Sequence, residues 1–314
     1  MTKIYKTGSR HKSVSHAKAV GATGRSPLLI SCLSCVSWFK SIFTVKEQMM
    51  KPDDTTITRI LFHPREEEPG YVPEGIRTVT VSGNARIGGY LHLHPTSDTL
   101  LLFFHGNGEI AADYDDISSF FTGCGVSFWS VDYRGYGRSS GMPAYSLMFE
   151  DARALLNDIP RIAQTVGRTF NRILVMGRSL GSASAIFLAS SHTSKLTGLI
   201  LDSPYADGLN LINRLSGIAL NRQDLPEFVD NIDLMRTADL PTLIIHGTFD
   251  QIIPISDARA LYDACVNTAR RLIEIEGAGH NDLMFRGGDR YWASVREHII
   301  QTIPKTTTPG SQQT

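Results

Sequence analysis

Cysteine is scarce in this chain, with four among 314 residues. That is too few for a disulfide framework at this length. Cys124 and Cys265 sit in apolar, periodic stretches and are expected to be small buried hydrophobes. Cys32 and Cys35 form a C-x-x-C, yet no second pair and no nearby histidine completes a zinc site. Excess charge is missing as well: 31 basic and 31 acidic residues cancel. A nucleic-acid partner is therefore not expected, because neutralising phosphates needs clustered Lys and Arg. Long apolar runs are also lacking. The stretch Pro27–Phe39 falls short of the roughly 20 residues that a membrane-spanning helix needs.

Acidic residues are absent from the first 26 positions, which carry Lys3, Lys6, Arg10, Lys12, Lys18 and Arg25. With the apolar run behind them, residues 1–50 read as an extension, and Met49-Met50 as the place where translation begins. The same stretch fits a peripheral membrane anchor acylated at Cys32 or Cys35. A signal peptide has an h-region of this length, but the basic part is long and no A-x-A site follows. The chain is thus expected in the cytoplasm, with membrane attachment or secretion as alternatives. No internal repeat is present, and the only biased segment besides the start is the Thr/Pro/Ser/Gln tail, residues 304–314.

What is present is regular, from residue 51 to 303. Ile57–Phe62 reads as a short strand. Ile76–Val81 and Ile87–Leu93 alternate about Ser82-Gly83-Asn84-Ala85, a hairpin signal. Apolar runs then alternate with helical patterns. The runs are Thr99–Phe104, Val126–Asp132, Arg172–Met176, Leu196–Leu201, Pro241–Ile245 and Arg271–Ile275. The helical patterns are Tyr114–Thr122, Tyr145–Val166, Leu180–Ser191, Ser256–Cys265 and Arg290–Thr302. Continuously apolar strands imply a sheet covered on both faces, and repeated β-α units imply an α/β domain with a mostly parallel sheet. The irregular interval, residues 204–240, is too short for a domain and reads as a small lid.

Chemistry concentrates at strand ends. Gly177-Arg178-Ser179-Leu180-Gly181 is a G-x-S-x-G between a strand and a helix, the context of a nucleophile elbow. A serine on so tight a turn needs flanking residues without side chains. The base and acid should follow it in the order Asp, His. Asp250 stands just past the strand that ends near Ile245, and His280 lies in Gly277-Ala278-Gly279-His280, past the last strand. Ligands in open α/β sheets bind at such carboxyl ends. Asp202, ending another strand, is the rival acid. One oxyanion donor is the backbone N–H of Leu180. The second is that of Asn107, in the loop His105-Gly106-Asn107-Gly108. His105 and His246 read as hydrogen-bonded anchors, and His92 and His94 as an exposed pair on one hairpin face. The loop Asp132-Tyr133-Arg134-Gly135-Tyr136-Gly137 reads as structural, with Tyr133 or Arg134 as possible walls of the site.

Taken together, these motifs, with Asp202-Ser203-Pro204 and His246-Gly247-Thr248-Phe249-Asp250, resemble one branch of the α/β-hydrolases. It joins uncharacterised bacterial hydrolases to a lid-poor eukaryotic group that includes protein depalmitoylases. The resemblance runs from about Leu61 to Ile300. It implies an eight-stranded, mostly parallel sheet with helices on both faces, and a Ser179-Asp250-His280 triad without metal or cofactor. The expected substrate is a carboxylic ester or thioester, small or lipid-like. An aminopeptidase-type serine peptidase and a non-catalytic binding scaffold remain as alternatives.

Overall fold

The computed structural model describes residues 54–224 and 229–302. The basic stretch at the start, the apolar run with its C-x-x-C and the C-terminal tail lie outside the described residues. Eight strands are found among these: β1 (Ile76–Ser82), β2 (Ala85–His92), β3 (Thr99–Phe104), β4 (Ser127–Val131), β5 (Arg172–Arg178), β6 (Gly198–Asp202), β7 (Thr242–Gly247) and β8 (Arg270–Ile275). The helices are α1 (Asp54–Leu61), α2 (Ser118–Thr122), α3 (Tyr145–Thr165), α4 (Ser182–Ser191), α5 (Gly208–Ser216), α6 (Asn231–Met235), α7 (Ile255–Ala264) and α8 (Leu283–Gln301).

The strands form one sheet in the order β1-β2-β4-β3-β5-β6-β7-β8. Pairing is antiparallel for β1–β2 and β2–β4 and parallel for the rest. Alternate side chains of each strand face opposite sides, which is visible in β3. Leu100, Leu102 and Phe104 join one core with residues of α1, α3, α4, α5 and α7. Leu101 and Phe103 join the other, with residues of α2 and α8. Both faces are therefore covered, as the unbroken apolar runs imply. Cys124 and Cys265 are buried free thiols, as expected.

Two readings of the sequence need correction. Ile57–Phe62 is not a strand but most of α1, which ends at Leu61. Its β-branched isoleucines suggest a strand, yet Ile57, Ile60 and Leu61 are spaced for one helix face. His92 is not exposed. Strand β2 lies between β1 and β4, so His92 is buried, with Nε2 2.9 Å from Asp115 Oδ1. His94 is only half-buried.

One polar residue interrupts the apolar stripe of α3, and the fold accounts for it. Asp151 is buried and takes two charge-assisted bonds from Arg134, at 2.7 Å from Nη2 and 2.9 Å from Nε. Arg134 also donates to the carbonyl of Ser82. The pair thus ties the β1–β2 hairpin, the loop after β4 and α3 together. A buried charge without such a partner would cost several kcal/mol.

Helix α8 buries His298 against the sheet. Burial there, reinforced by the positive charge of Arg271, lowers its pKa from 6.5 to about 4. The unfolded chain therefore takes up this proton near pH 6.5, whereas the folded chain resists until about pH 4. Stability from this group is complete above pH 6.5 and is lost as pH falls, by up to about 3 kcal/mol near pH 4. Melting temperature measured between pH 6.5 and 4.5 should fall more steeply for the wild type than for His298→Gln. Parallel curves would assign the acid sensitivity to another group.

Candidate active site

The parallel strands deliver their carboxyl ends to one edge of the sheet, so loops distant in sequence converge there. Ser179 follows β5 directly and opens a short 3-10 helix, Ser179–Gly181, that runs into α4. Its φ is +52°, a left-handed backbone on a residue with a side chain. A Cβ at Gly177 would collide with the carbonyl of Gly181, and one at Gly181 with the carbonyl of Phe104. The two glycines are thus required by the tightness of the turn itself.

His280 reaches Ser179 from the loop after β8. Its Nε2 lies 2.8 Å from Ser179 Oγ, and its Nδ1 lies 2.7 Å from Asp250 Oδ2. A carboxylate can only accept, so the proton belongs on Nδ1, and Nε2 is left to accept from the serine hydroxyl. All three residues are buried. Asp250 Oδ1 accepts from the backbone N–H groups of Ile252 and Ile253 at 2.9 and 2.8 Å. Burial opposes its charge, but hydrogen bonds from His246 and His280 prevail and hold its pKa well below the usual carboxylate range. His246 in turn lies 2.8 Å from the carbonyl of Ile253, in keeping with its reading as an anchor.

Asp202 ends the strand next to β5 but bonds elsewhere. Its Oδ2 accepts from Tyr291 at 2.7 Å, and complete burial raises its pKa despite the nearby Arg178. The structure thus gives the Nδ1 of His280 to Asp250 and not to Asp202.

The loop carrying Asn107 is anchored through its side chains. Asn107 Oδ1 accepts from the backbone of His63 at 2.9 Å and from Tyr136 at 2.8 Å. Tyr133 donates to the carbonyl of His105 at 2.6 Å. His105 itself is fully buried, its Nδ1 2.8 Å from the carbonyl of Gly106. The glycine-rich loop after β4 therefore braces this one from behind. Tyr133 and Arg134 do not line the site. Among the described residues no acceptor takes the backbone N–H of Asn107, and Leu180 lies in a first helical turn, where N–H groups lack intrahelical partners.

A cavity of about 200 Å³ opens over Ser179 and His280. Leu61, Leu180, Leu211, Leu215, Ile252 and Ile253 supply its apolar lining. Leu211 and Leu215 come from α5, in the predicted lid, whereas Ile212 of the same helix is buried in the core. Two residues escaped the sequence reading. Arg178 is nearly buried beside Ser179 and pairs with Glu109. The only signal for it was its place within the pentapeptide. Among the described residues, no cluster of three or more His, Cys, Asp or Glu could hold a metal ion.

Comparison with known proteins agrees with this architecture. A family model described as serine aminopeptidase, S33, matches residues 95–226. Human alpha/beta hydrolase domain-containing protein 17B is 30% identical over 73% of this chain and 76% of its own length. The Pyrococcus furiosus esterase Pf2001 superposes with a TM-score of 0.64 at 17% identity, over 77% of this chain and 98% of the esterase. Est1E from Butyrivibrio proteoclasticus does so with a TM-score of 0.56 at 17% identity, over 74% of this chain and all of that enzyme. With this fold, this order of motifs and these relatives, the chain belongs to the α/β-hydrolase superfamily of serine hydrolases.

Proposed function

We propose that this protein cleaves a carboxylic ester or thioester through a covalent acyl-enzyme on Ser179. The continuous bond chain from Ser179 through His280 to Asp250 carries the reading. His280 Nε2 accepts the hydroxyl proton as Oγ attacks the carbonyl carbon, and then returns it to the departing alkoxide or thiolate. Water, activated by the same nitrogen, releases the acid. Asp250 keeps the Nδ1 proton in place and stabilises the imidazolium that forms. The N–H groups of Leu180 and Asn107 receive the oxyanion, where fixed dipoles act without reorganising.

The apolar part of the cavity lining favours an acyl group over an aminoacyl group. An aminopeptidase needs an anionic partner for the substrate ammonium, and the carboxylates near Ser179 are already engaged. Asp250 is held by His280, while Glu109 and Asp202 face Arg178. A peripheral membrane location belongs to the same proposal, with residues 1–50 as the contact, because fatty acyl substrates partition there. Among the described residues no helix is long and apolar enough to cross a membrane.

A fluorophosphonate probe should label the wild type covalently and leave Ser179→Ala unlabelled. Undiminished labelling of the variant would move the nucleophile elsewhere. The variant's hydrolysis should remain above the uncatalysed rate, since the oxyanion donors survive. Asp250→Asn should lower kcat by about 10³–10⁴-fold, because the amide can select the wrong imidazole tautomer. Asp202→Asn should be far milder, and the reverse ranking would give the acid's role to Asp202. With p-nitrophenyl esters and matching thioesters, kcat/KM should rise from acetyl to octanoyl, by up to about 0.8 kcal/mol for each buried methylene. A steep preference for acetyl would show that α5 closes the pocket to longer chains.

A further inference from the structure

The charges beside Ser179 form one connected group, and the buried Arg178 is its centre. Its side chain is 9% exposed. Nη2 donates to the backbone carbonyl of His280 at 2.8 Å and to Asn281 Oδ1 at 3.2 Å. Nη1 pairs with Glu109 Oε1, and Nε lies 3.8 Å from Asp202 Oδ1. Glu109 passes the constraint on, for its Oε2 accepts from the backbone N–H of Gly106 at 2.7 Å and from Tyr114 at 2.6 Å. Gly106 immediately precedes Asn107. A Cβ on Gly106 would sit 2.7 Å from Arg178 Nη1, so the guanidinium packs directly on that loop.

We propose that Arg178 is a positioning residue: with Glu109 it clamps the His280 loop and the Asn107 loop in register around Ser179. The proposal rests on the Ser179–His280 reading of the reaction. Arginine has five N–H donors to satisfy, so what sets this pair apart from a plain brace of the fold is where the remaining donors go. Here a further donor goes to the carbonyl of the residue whose imidazole meets Ser179. The planar fork of arginine can hold Glu109 and His280 simultaneously, whereas an ammonium is a point charge that serves one well. Loss of the clamp frees both loops to shift, and a displacement of about 1 Å costs on the order of 10²-fold in rate.

The test compares Arg178→Lys, Arg178→Met, Glu109→Gln and the double variant Arg178→Met/Glu109→Gln. Fluorophosphonate titration counts competent Ser179 sites, and kcat and KM for p-nitrophenyl octanoate are then expressed per titrated site. Arg178→Met should lower per-site kcat about 100-fold and leave KM nearly unchanged. Arg178→Lys should recover part of that loss, and the double variant should be no slower than Arg178→Met alone. Wild-type per-site kcat, with only fewer sites or a lower Tm, would make the cluster a brace of the fold and overturn the proposal. If Arg178→Met does not fold, Arg178→Lys and Glu109→Gln decide the question: lowered per-site kcat in both upholds the clamp, and wild-type values in either overturn it. Ser179→Ala measured in parallel separates the two levels. Its full retention of hydrolysis would overturn the underlying reading and the clamp with it. An inactive Ser179→Ala beside fully active Arg178 variants would overturn the clamp alone.

Discussion

The backbone of Ser179 is held where residues with side chains rarely go, at φ +52°, and much of the site follows from that turn. Such a conformation costs about 1–3 kcal/mol and persists only where the surroundings determine it. They do so by close approach: the chain returns on itself between Gly177 and Gly181, leaving no room for a Cβ at either. Ser182 Oγ closes the turn by donating to the carbonyl of Ser179 at 2.6 Å. The turn places Oγ 2.8 Å from His280 Nε2 and puts Leu180 in a first helical turn, where N–H groups lack intrahelical partners. The proposed nucleophile and one proposed oxyanion donor are thus two results of a single backbone constraint. The next strand over repeats it, with Ser203 at φ +48° directly after Asp202.

Around the turn, charge is arranged by pairing rather than by exposure. Each carboxylate near Ser179 has its own set of donors. Asp250 has two backbone N–H groups and two imidazoles. Glu109 has Arg178, Tyr114 and Gly106, and Asp202 has Tyr291 with Arg178 further off. The outcome differs accordingly. Hydrogen bonds overcome desolvation at Asp250 and depress its pKa, whereas desolvation wins at Asp202 and raises it. Two aspartates at neighbouring strand ends are thereby separated into a carboxylate that faces the imidazole and one that braces the interior.

Much of this was legible in the sequence because the signals were local. Six apolar runs gave β3 to β8, and the turn Ser82–Ala85 gave the β1–β2 hairpin. The pentapeptide around Ser179, with Asp250 and His280 behind it, gave the three side chains that meet. Readings failed where the deciding fact was tertiary. Ile57–Phe62 carries residues suited to either secondary structure, and its packing on the sheet core selected the helix. His92 was misread because strand order is not written in the chain: β2 pairs with β4, and a residue expected to be exposed on a hairpin face became interior. Tyr133 and Arg134 turn away from the site because His105 and Asp151 claim them. Arg178 escaped because a variable position in a motif has no periodicity to betray it.

The interval predicted as a lid shows how composition and placement together shape the cavity. Helix α5 is short and amphipathic, and one face of it, with Ile212, is committed to the core. Only Leu211 and Leu215 turn toward Ser179, where they meet Leu61 of α1 and Ile252 and Ile253 behind Asp250. The cavity is thus assembled from six segments far apart in the chain, none of which is apolar enough to announce a pocket. Asn107, Arg178 and Asn281 add polar wall beside the reacting groups, so the apolar side chains cover only part of the lining, and there volume and apolar contact act on an acyl group. Such selection is graded, because a methylene more or less changes binding by only about 1–3 kcal/mol. The chemistry, in contrast, depends on hydrogen bonds between 2.7 and 2.9 Å around one carboxylate and one imidazole. In the proposed reaction, acyl-chain preference and bond cleavage therefore draw on different parts of the same cleft.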